Sequence, residues 1–368
     1  MGTSRADRIR RTAAAAVLVA GAFAFTGCIT SPAEPVAQSS PPASDAESEF
    51  ERDVRTTFDS YDWQQTAVAI IHENGDVERV YVGSDEETAF EIGSITKTMT
   101  GHLLAEAIER GEVSLDDPLG RHLPLGEAPT AAVTLRSLAT HSSGLPRDPS
   151  DPATTAALAE EEISGADPYD YTLDELLELA RIETLTPSDE PVYSNFAAAL
   201  LGQALAAAAG TDYETLLRDR LLGAIGMDDA VLVEEPSDVP ASLAGGHRPD
   251  GQPVEPWASG AYSPAGGVDA TLDDLVAYAQ AMLDGPLSDS AALEPIAPGW
   301  NKNWEFGYFW WVEDGPARVL TLHDGRSGGF SSALLIDRDA GTASVVLSNM
   351  ITDPVEPALR YLGRFAGD

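Results

Sequence analysis

The sequence predicts an α/β (α+β) fold: an antiparallel sheet built from both termini, flanked by helices, with a mainly helical lobe inserted between. Three observations predict it. Runs rich in β-branched residues sit near the start, at Thr66–Ile71 and Val77–Val82, and return after Phe306. The middle, roughly residues 111–240, is alanine- and leucine-rich and punctuated by helix caps. Strands at both ends around a helical middle point to one sheet assembled from the termini.

The elements follow in order. Residues 50–61 read as an amphipathic helix. The two β-branched runs flank Glu73-Asn74-Gly75-Asp76, a strong hairpin signal. Residues 90–110 (FEIGSITKTMTGHLLAEAIER) carry a helical apolar period after Gly93-Ser94, and Gly111 stops it. Residues 134–140 form a short helix, with His141-Ser142-Ser143-Gly144 as its exit. Residues 148–170 are acidic and dotted with proline, so they read as a surface loop with short helical turns. Thr172-Leu173-Asp174-Glu175 opens a helix through Arg181, and residues 195–209 and 213–225 give two more, closed by Gly210 and Gly226. Pro264-Ala265-Gly266-Gly267 reads as a tight loop, and Thr271 caps a helix to Leu283. Strands are expected at 306–312, 318–322, 331–336 and 343–348, then a helix at 354–365. The aromatic run from Trp300 to Trp311 fits strand packing better than a ligand wall.

A chain of 368 residues suffices for one large domain or two lobes. Its net charge of −38, from 60 acidic and 22 basic residues, excludes nucleic acid and anionic lipid as electrostatic partners. Residues 1–27 read as a leader: Arg5, Arg8, Arg10 and Arg11 precede an apolar run, residues 13–25, too short to span a bilayer comfortably. Phe25-Thr26-Gly27-Cys28 resembles a bacterial lipoprotein signal. The resemblance implies lipid attachment at Cys28 and a membrane partner on the extracytoplasmic face. Cys28 is the only cysteine, so it forms no internal disulfide. Residues 28–49, rich in Ser, Pro and acid, read as a tether, and residues 50–368 as the folded domain.

The chemistry centres on Ser94. Lys97 lies one helical turn on, at the start of the helix. The chain has two lysines, Lys97 and Lys302, against twenty arginines. Arginine stays protonated at any useful pH, whereas a buried lysine can shed its proton and act as a base. A serine nucleophile needs such a base and donors for its oxyanion, and a helix N-terminus supplies free N–H groups. Two further stretches can bring proton-handling groups: Tyr193-Ser194-Asn195 before a helix, and His323-Asp324-Gly325 near a strand end.

In this order, S-x-x-K, Y-x-N and H-x-G resemble the serine β-lactamase and penicillin-binding DD-peptidase superfamily, nearest its class C-like and esterase-like branch. The likeness covers about residues 66–349, with supporting text such as SPAGGVDATLDDL and DGRSGGFSS. It implies an acyl-enzyme at Ser94, assisted by Lys97, with Tyr193 as partner base, its phenolate favoured by a nearby ammonium. Asn195 is then expected to bond Lys97 or a substrate amide, with His323 and Gly325 on the far wall. The N–H groups of Ser94 and Arg326 would form the oxyanion hole. Lysine and a hydroxyl, usual in the third motif, are replaced by His323 and Asp324. Carboxylate recognition is weakened, since histidine has an ordinary pKa of about 6.5. Esters, amides or D-amino-acid peptides become the expected small-molecule or peptidoglycan-derived substrates, with a non-turnover binding module as the alternative. No cofactor is implied, and the other histidines lack metal-ligand spacing.

Overall fold

A computed structural model describes residues 47–314 and 318–366. The expected leader, Cys28 and nearly all of the tether lie outside those residues. Helix α1 (Glu49–Phe58) starts behind Ser48, whose hydroxyl accepts from Glu51 N–H at 2.9 Å. Phe50, Val54 and Phe58 repeat every four residues and form its buried stripe. Strands β1 (Thr66–Ile71) and β2 (Val77–Val82) form the expected hairpin, with Gly75 at φ 84° in the turn. The short β3 (Phe90–Glu91) leads through Gly93 into α2 (Ile95–Glu109). Twelve of the fifteen α2 residues are buried, so this helix runs inside the molecule rather than over its surface.

The middle carries α3 (Leu135–Ala139), α4 (Pro152–Ser164), α5 (Leu173–Ile182), α6 (Asn195–Ala209), α7 (Tyr213–Leu217) and α8 (Gly223–Ile225). Two corrections arise here. The segment expected as a loop, 148–170, contains α4, a helix of 13 residues. It fully buries only Thr154, so no apolar period reveals it. Its ends do: Asp151 caps Ala153 and Thr154, Pro152 is the first helical residue, and Gly165 closes at φ 80°. The helix expected over 213–225 is interrupted by a π turn, Arg218–Leu222, between α7 and α8.

Short strands β4 (Val231–Leu232), β5 (Gly246–His247), β6 (Pro253–Val254) and β7 (Val268–Ala270) precede α9 (Leu272–Leu283). Then come β8 (Ala297–Pro298), β9 (Glu305–Phe306), β10 (Trp311–Asp314), β11 (Val319–Arg326), β12 (Ser331–Asp337), β13 (Thr342–Ser348) and α10 (Val355–Arg364). The strand expected over 306–312 is two strands with a bend. The bend falls at Phe309, whose φ of 64° lies outside the extended region a strand requires, and both Phe309 and Trp310 are buried there.

The main sheet has eight antiparallel strands in the order β2-β1-β13-β12-β11-β10-β9-β8. Thr66 stands opposite Ser348, so the two ends of the chain do meet in one sheet. Alternation sorts the core. Val68, Ala333, Leu335 and Val346 pack with α1 and α10 on one face; Ala67, Leu334, Val345 and Leu347 join α2, α6 and α9 on the other. A second sheet, β3-β7-β4, carries the chain into Ser94.

Candidate active site

Ser94 sits at the N-cap position of α2 but makes no side-chain cap, with φ −65° and ψ −8°. Its hydroxyl is therefore available for other partners. Lys97 Nζ lies 2.8 Å from Ser94 Oγ and donates to Ala265 O at 2.6 Å. The Ala265 carbonyl comes from the Pro264–Gly267 stretch that the sequence marks as a loop. Lys97 is 1% exposed. Burial, aided by Arg147, holds its pKa well below the usual lysine range, against the pull of Asp148 and Asp324. A neutral amine one turn from a serine is equipped to take that serine's proton.

Tyr193 comes from the turn before α6. Lys97 Nζ lies 5.1 Å from its ring centre, and so does the Arg147 guanidinium carbon. Burial raises the phenol pKa, outweighing the lowering by the Ser94 hydroxyl that it faces and by Arg147. This corrects the expected phenolate. The lysine that was to supply a positive charge is itself driven toward neutrality, so the tyrosine stays a neutral phenol.

His141 holds Tyr193 from both sides. Its carbonyl accepts from Val192 N–H at 2.8 Å, and its Nδ1 accepts from Ser194 N–H at 3.1 Å. The rings of His141 and Tyr193 are 4.5 Å apart. An accepting Nδ1 places the ring proton on Nε2, and burial, Lys97, His323 and Arg147 hold the imidazole pKa well below its usual value. His141 also adopts φ 55°, a strained conformation for a non-glycine residue. The helix-exit reading of this segment thus missed a side chain that anchors Tyr193.

Of the two partners expected for Asn195, Lys97 or a substrate amide, it makes no hydrogen bond to Lys97. Its Nδ2 donates to Asp148 Oδ1 at 3.0 Å and Tyr169 OH at 2.9 Å, and Tyr169 OH also donates to Asp148 Oδ1 at 3.0 Å. The carboxylate outcompetes an amine already engaged elsewhere. His323 is fully buried and does not line the cleft. Its Nδ1 lies 2.6 Å from Asp324 O and its Nε2 has no partner. Burial and Lys97 lower its pKa to about 3, so it stands neutral between Trp311 and Tyr193, with ring centres 4.8 and 6.3 Å away.

Gly325 and Arg326 work through the backbone. A Cβ on Gly325 would overlap Ile92 O and the Ser332 hydroxyl, so only glycine lets β11 approach the chain entering Ser94. Gly93, at φ 52°, packs likewise, since a Cβ there would lie 2.7 Å from Arg326 N. Ser327 N–H bonds Phe330 O at 3.2 Å, so ladder alternation turns the Arg326 N–H away from β12 and toward Gly93. Two backbone N–H groups, of Ser94 and Arg326, thereby border one cleft of about 360 Å³. Ser94, Lys97, Arg147, Asp148, Glu161 and Arg326 are among the residues lining it.

A beta-lactamase family model matches residues 50–366. The chain belongs to the beta-lactamase family. D-alanyl-D-alanine-carboxypeptidase/endopeptidase AmpH of Escherichia coli K12 is 32% identical over 154 residues, 41% of this chain and 38% of AmpH, well under half of that relative's length. Penicillin-binding protein 4 of Amycolatopsis lactamdurans is 25% identical over 287 residues, 72% of each chain. Among solved structures, a class C beta lactamase from Rhodobacter sphaeroides superposes with TM-score 0.68 at 21% identity, covering 84% of this chain and 95% of its own. The D-alanine carboxypeptidase AmpC from Burkholderia cenocepacia gives 0.68 at 24%, covering 85% and 97%. These structural likenesses establish a beta-lactamase fold. The cleft also holds residues that the sequence reading missed: Arg147, Asp148 and Tyr169, with Glu161 and Glu162 from α4. The signal for the last two lay in the caps of α4.

Proposed function

We propose that the chain is an extracytoplasmic serine hydrolase working through a Ser94 acyl-enzyme. The observation that carries this is a lysine of depressed pKa 2.8 Å from an uncapped serine hydroxyl. Neutral Lys97 takes the Ser94 proton as Oγ bonds to the substrate carbonyl carbon. The Ser94 and Arg326 N–H groups hold the oxyanion. As the carbonyl re-forms, the leaving group departs with the Tyr193 phenol proton, and the phenol recovers a proton from the Lys97 ammonium. Water then enters by the reverse route, freeing Ser94 and the carboxylic acid product.

The substrate is an ester, amide or D-amino-acid peptide, neutral or cationic near the acyl group. Three carboxylates, Asp148, Glu161 and Glu162, against two guanidiniums, Arg147 and Arg326, support this preference. A neutral, buried His323 supports it too, because it offers no cation to a substrate carboxylate. Steady-state turnover of p-nitrophenyl esters and D-alanyl amides, compared with nitrocefin, is the test. The neutral and cationic substrates should exceed nitrocefin in kcat/KM by about tenfold or more, a difference of about 1.4 kcal/mol. Faster nitrocefin turnover contradicts the preference, and a single acylation burst without turnover replaces the enzyme with a binding module.

The extracytoplasmic placement rests on residues 1–28. Cys28→Ala should shift the protein from the membrane pellet to the soluble fraction or leave it unprocessed, as read by fractionation and intact mass. Unchanged fractionation and mass rule out the anchor.

A further inference from the structure

Two acidic side chains stand directly behind the catalytic cleft and have no part in the reaction above. Strands β3 and β7 pair antiparallel, with Glu91 opposite Asp269, and the next rung is the Ile92 N–H to Val268 O bond at 3.0 Å. Opposite residues in such a pair project to the same face, with Cβ atoms about 5 Å apart. Both side chains are buried, at 5% and 3% exposure. Glu91 Oε1 accepts from Trp257 N–H at 2.9 Å, but Glu91 Oε2 and Asp269 Oδ2 have no partner.

No cation among the described residues acts on either carboxyl group. Among the described residues, the other groups acting on Glu91 are the Ser327 hydroxyl, the Trp257 N–H and Asp167, itself a carboxylate held by Ala258 N–H at 2.8 Å. The charge acting on Asp269 is Glu91. Two ionised carboxylates side by side, dry and without a counter-ion, are strongly disfavoured. One carboxylic acid donating to one carboxylate satisfies both free oxygens and leaves a single charge.

We propose that Glu91 and Asp269 share one proton in the active protein, and that this hydrogen bond ties the strand delivering Ser94 to the strand behind the Ala265 loop. Ser94 follows Glu91 by three residues. Ala265, whose carbonyl holds Lys97 Nζ, precedes Asp269 by four. The pair therefore sets the spacing of serine and lysine without touching substrate. When the shared proton leaves to solvent, the two carboxylates repel, β3 and β7 separate, and turnover falls. Burial favours the protonated form of both groups: it raises the Glu91 pKa to about 7 and that of Asp269 well above the usual range. The folded chain thus holds a proton that the unfolded chain has lost, from about pH 4 to about pH 7, and stability drops as pH rises through that window.

The inference deepens the acyl-enzyme reading and rests on it for its kinetic arm. The test is the pH dependence of kcat/KM and of Tm for wild type, Glu91→Gln and Asp269→Asn. In either variant an amide replaces the shared proton, so the alkaline limb of activity should move up by about one pH unit or more. Between about pH 4 and pH 7 the downward slope of Tm in the wild type should flatten in either variant. If one variant does not fold, the other carries the test. Unaltered limbs and slopes overturn the proposal. So does a wild-type Tm at alkaline pH that rises with calcium chloride and falls with EDTA, since a cation then bridges the pair. The Tm arm needs no substrate, so failure of the hydrolase reading and failure of the shared proton are distinguishable.

Discussion

Ser94→Ala should abolish ester turnover, with a loss of about 10⁴-fold or more in kcat. Oγ is the atom that forms the covalent bond, and alanine has nothing to replace it. The fold should survive, because Ser94 caps nothing and, among the described residues, its hydroxyl has the lysine and the facing phenol as polar partners. Losing that contact leaves Lys97 bonded to Ala265 O, and the stability change should stay within about 1.5 kcal/mol. Steady-state kinetics with a p-nitrophenyl ester, alongside thermal unfolding, reads both numbers. A folded variant that keeps more than a tenth of the wild-type rate would show that another nucleophile operates.

Lys97→Arg should cost about 10²- to 10⁴-fold in kcat/KM, the usual contribution of a positioned general base. Arginine keeps a positive charge but cannot give up its proton. A buried guanidinium also strains the site, so Lys97→Met, uncharged and of similar length, separates loss of the base from misfit. The wild-type pH profile has a defined sign. At low pH Lys97 is protonated and cannot accept from Ser94. As pH rises through its depressed pKa the amine becomes neutral, so kcat/KM should climb and level off well below the ordinary lysine range. An acid limb at about pH 10 would mean that burial does not neutralise this lysine.

Features written within a few residues were legible in the sequence. The Asn74-Gly75 hairpin, the one-turn spacing of Ser94 and Lys97, and the glycine stops of α2 and α6 depend on local backbone chemistry. So did the placement of Tyr193 just ahead of α6, and the return of strand text after Phe306. Features created by distant contacts were not. His141 is 53 residues from its hydrogen-bond donor Ser194, and Asp148 is 47 from Asn195. Nothing near either residue announces the partner. The protonation states of Lys97 and Tyr193 follow the same rule, because burial sets them and only the assembled core supplies it. The α4 helix was missed for a different reason: a surface helix with one fully buried residue leaves no apolar rhythm, and only its caps speak for it.

The decisive measurement is intact mass followed by peptide mapping after treatment with a fluorophosphonate probe. Wild type should gain one adduct, on the peptide containing Ser94, while Ser94→Ala gains none and Lys97→Met labels about 10²-fold more slowly or worse. An adduct on any other residue, or equal labelling of wild type and Ser94→Ala, would contradict a Ser94 acyl-enzyme.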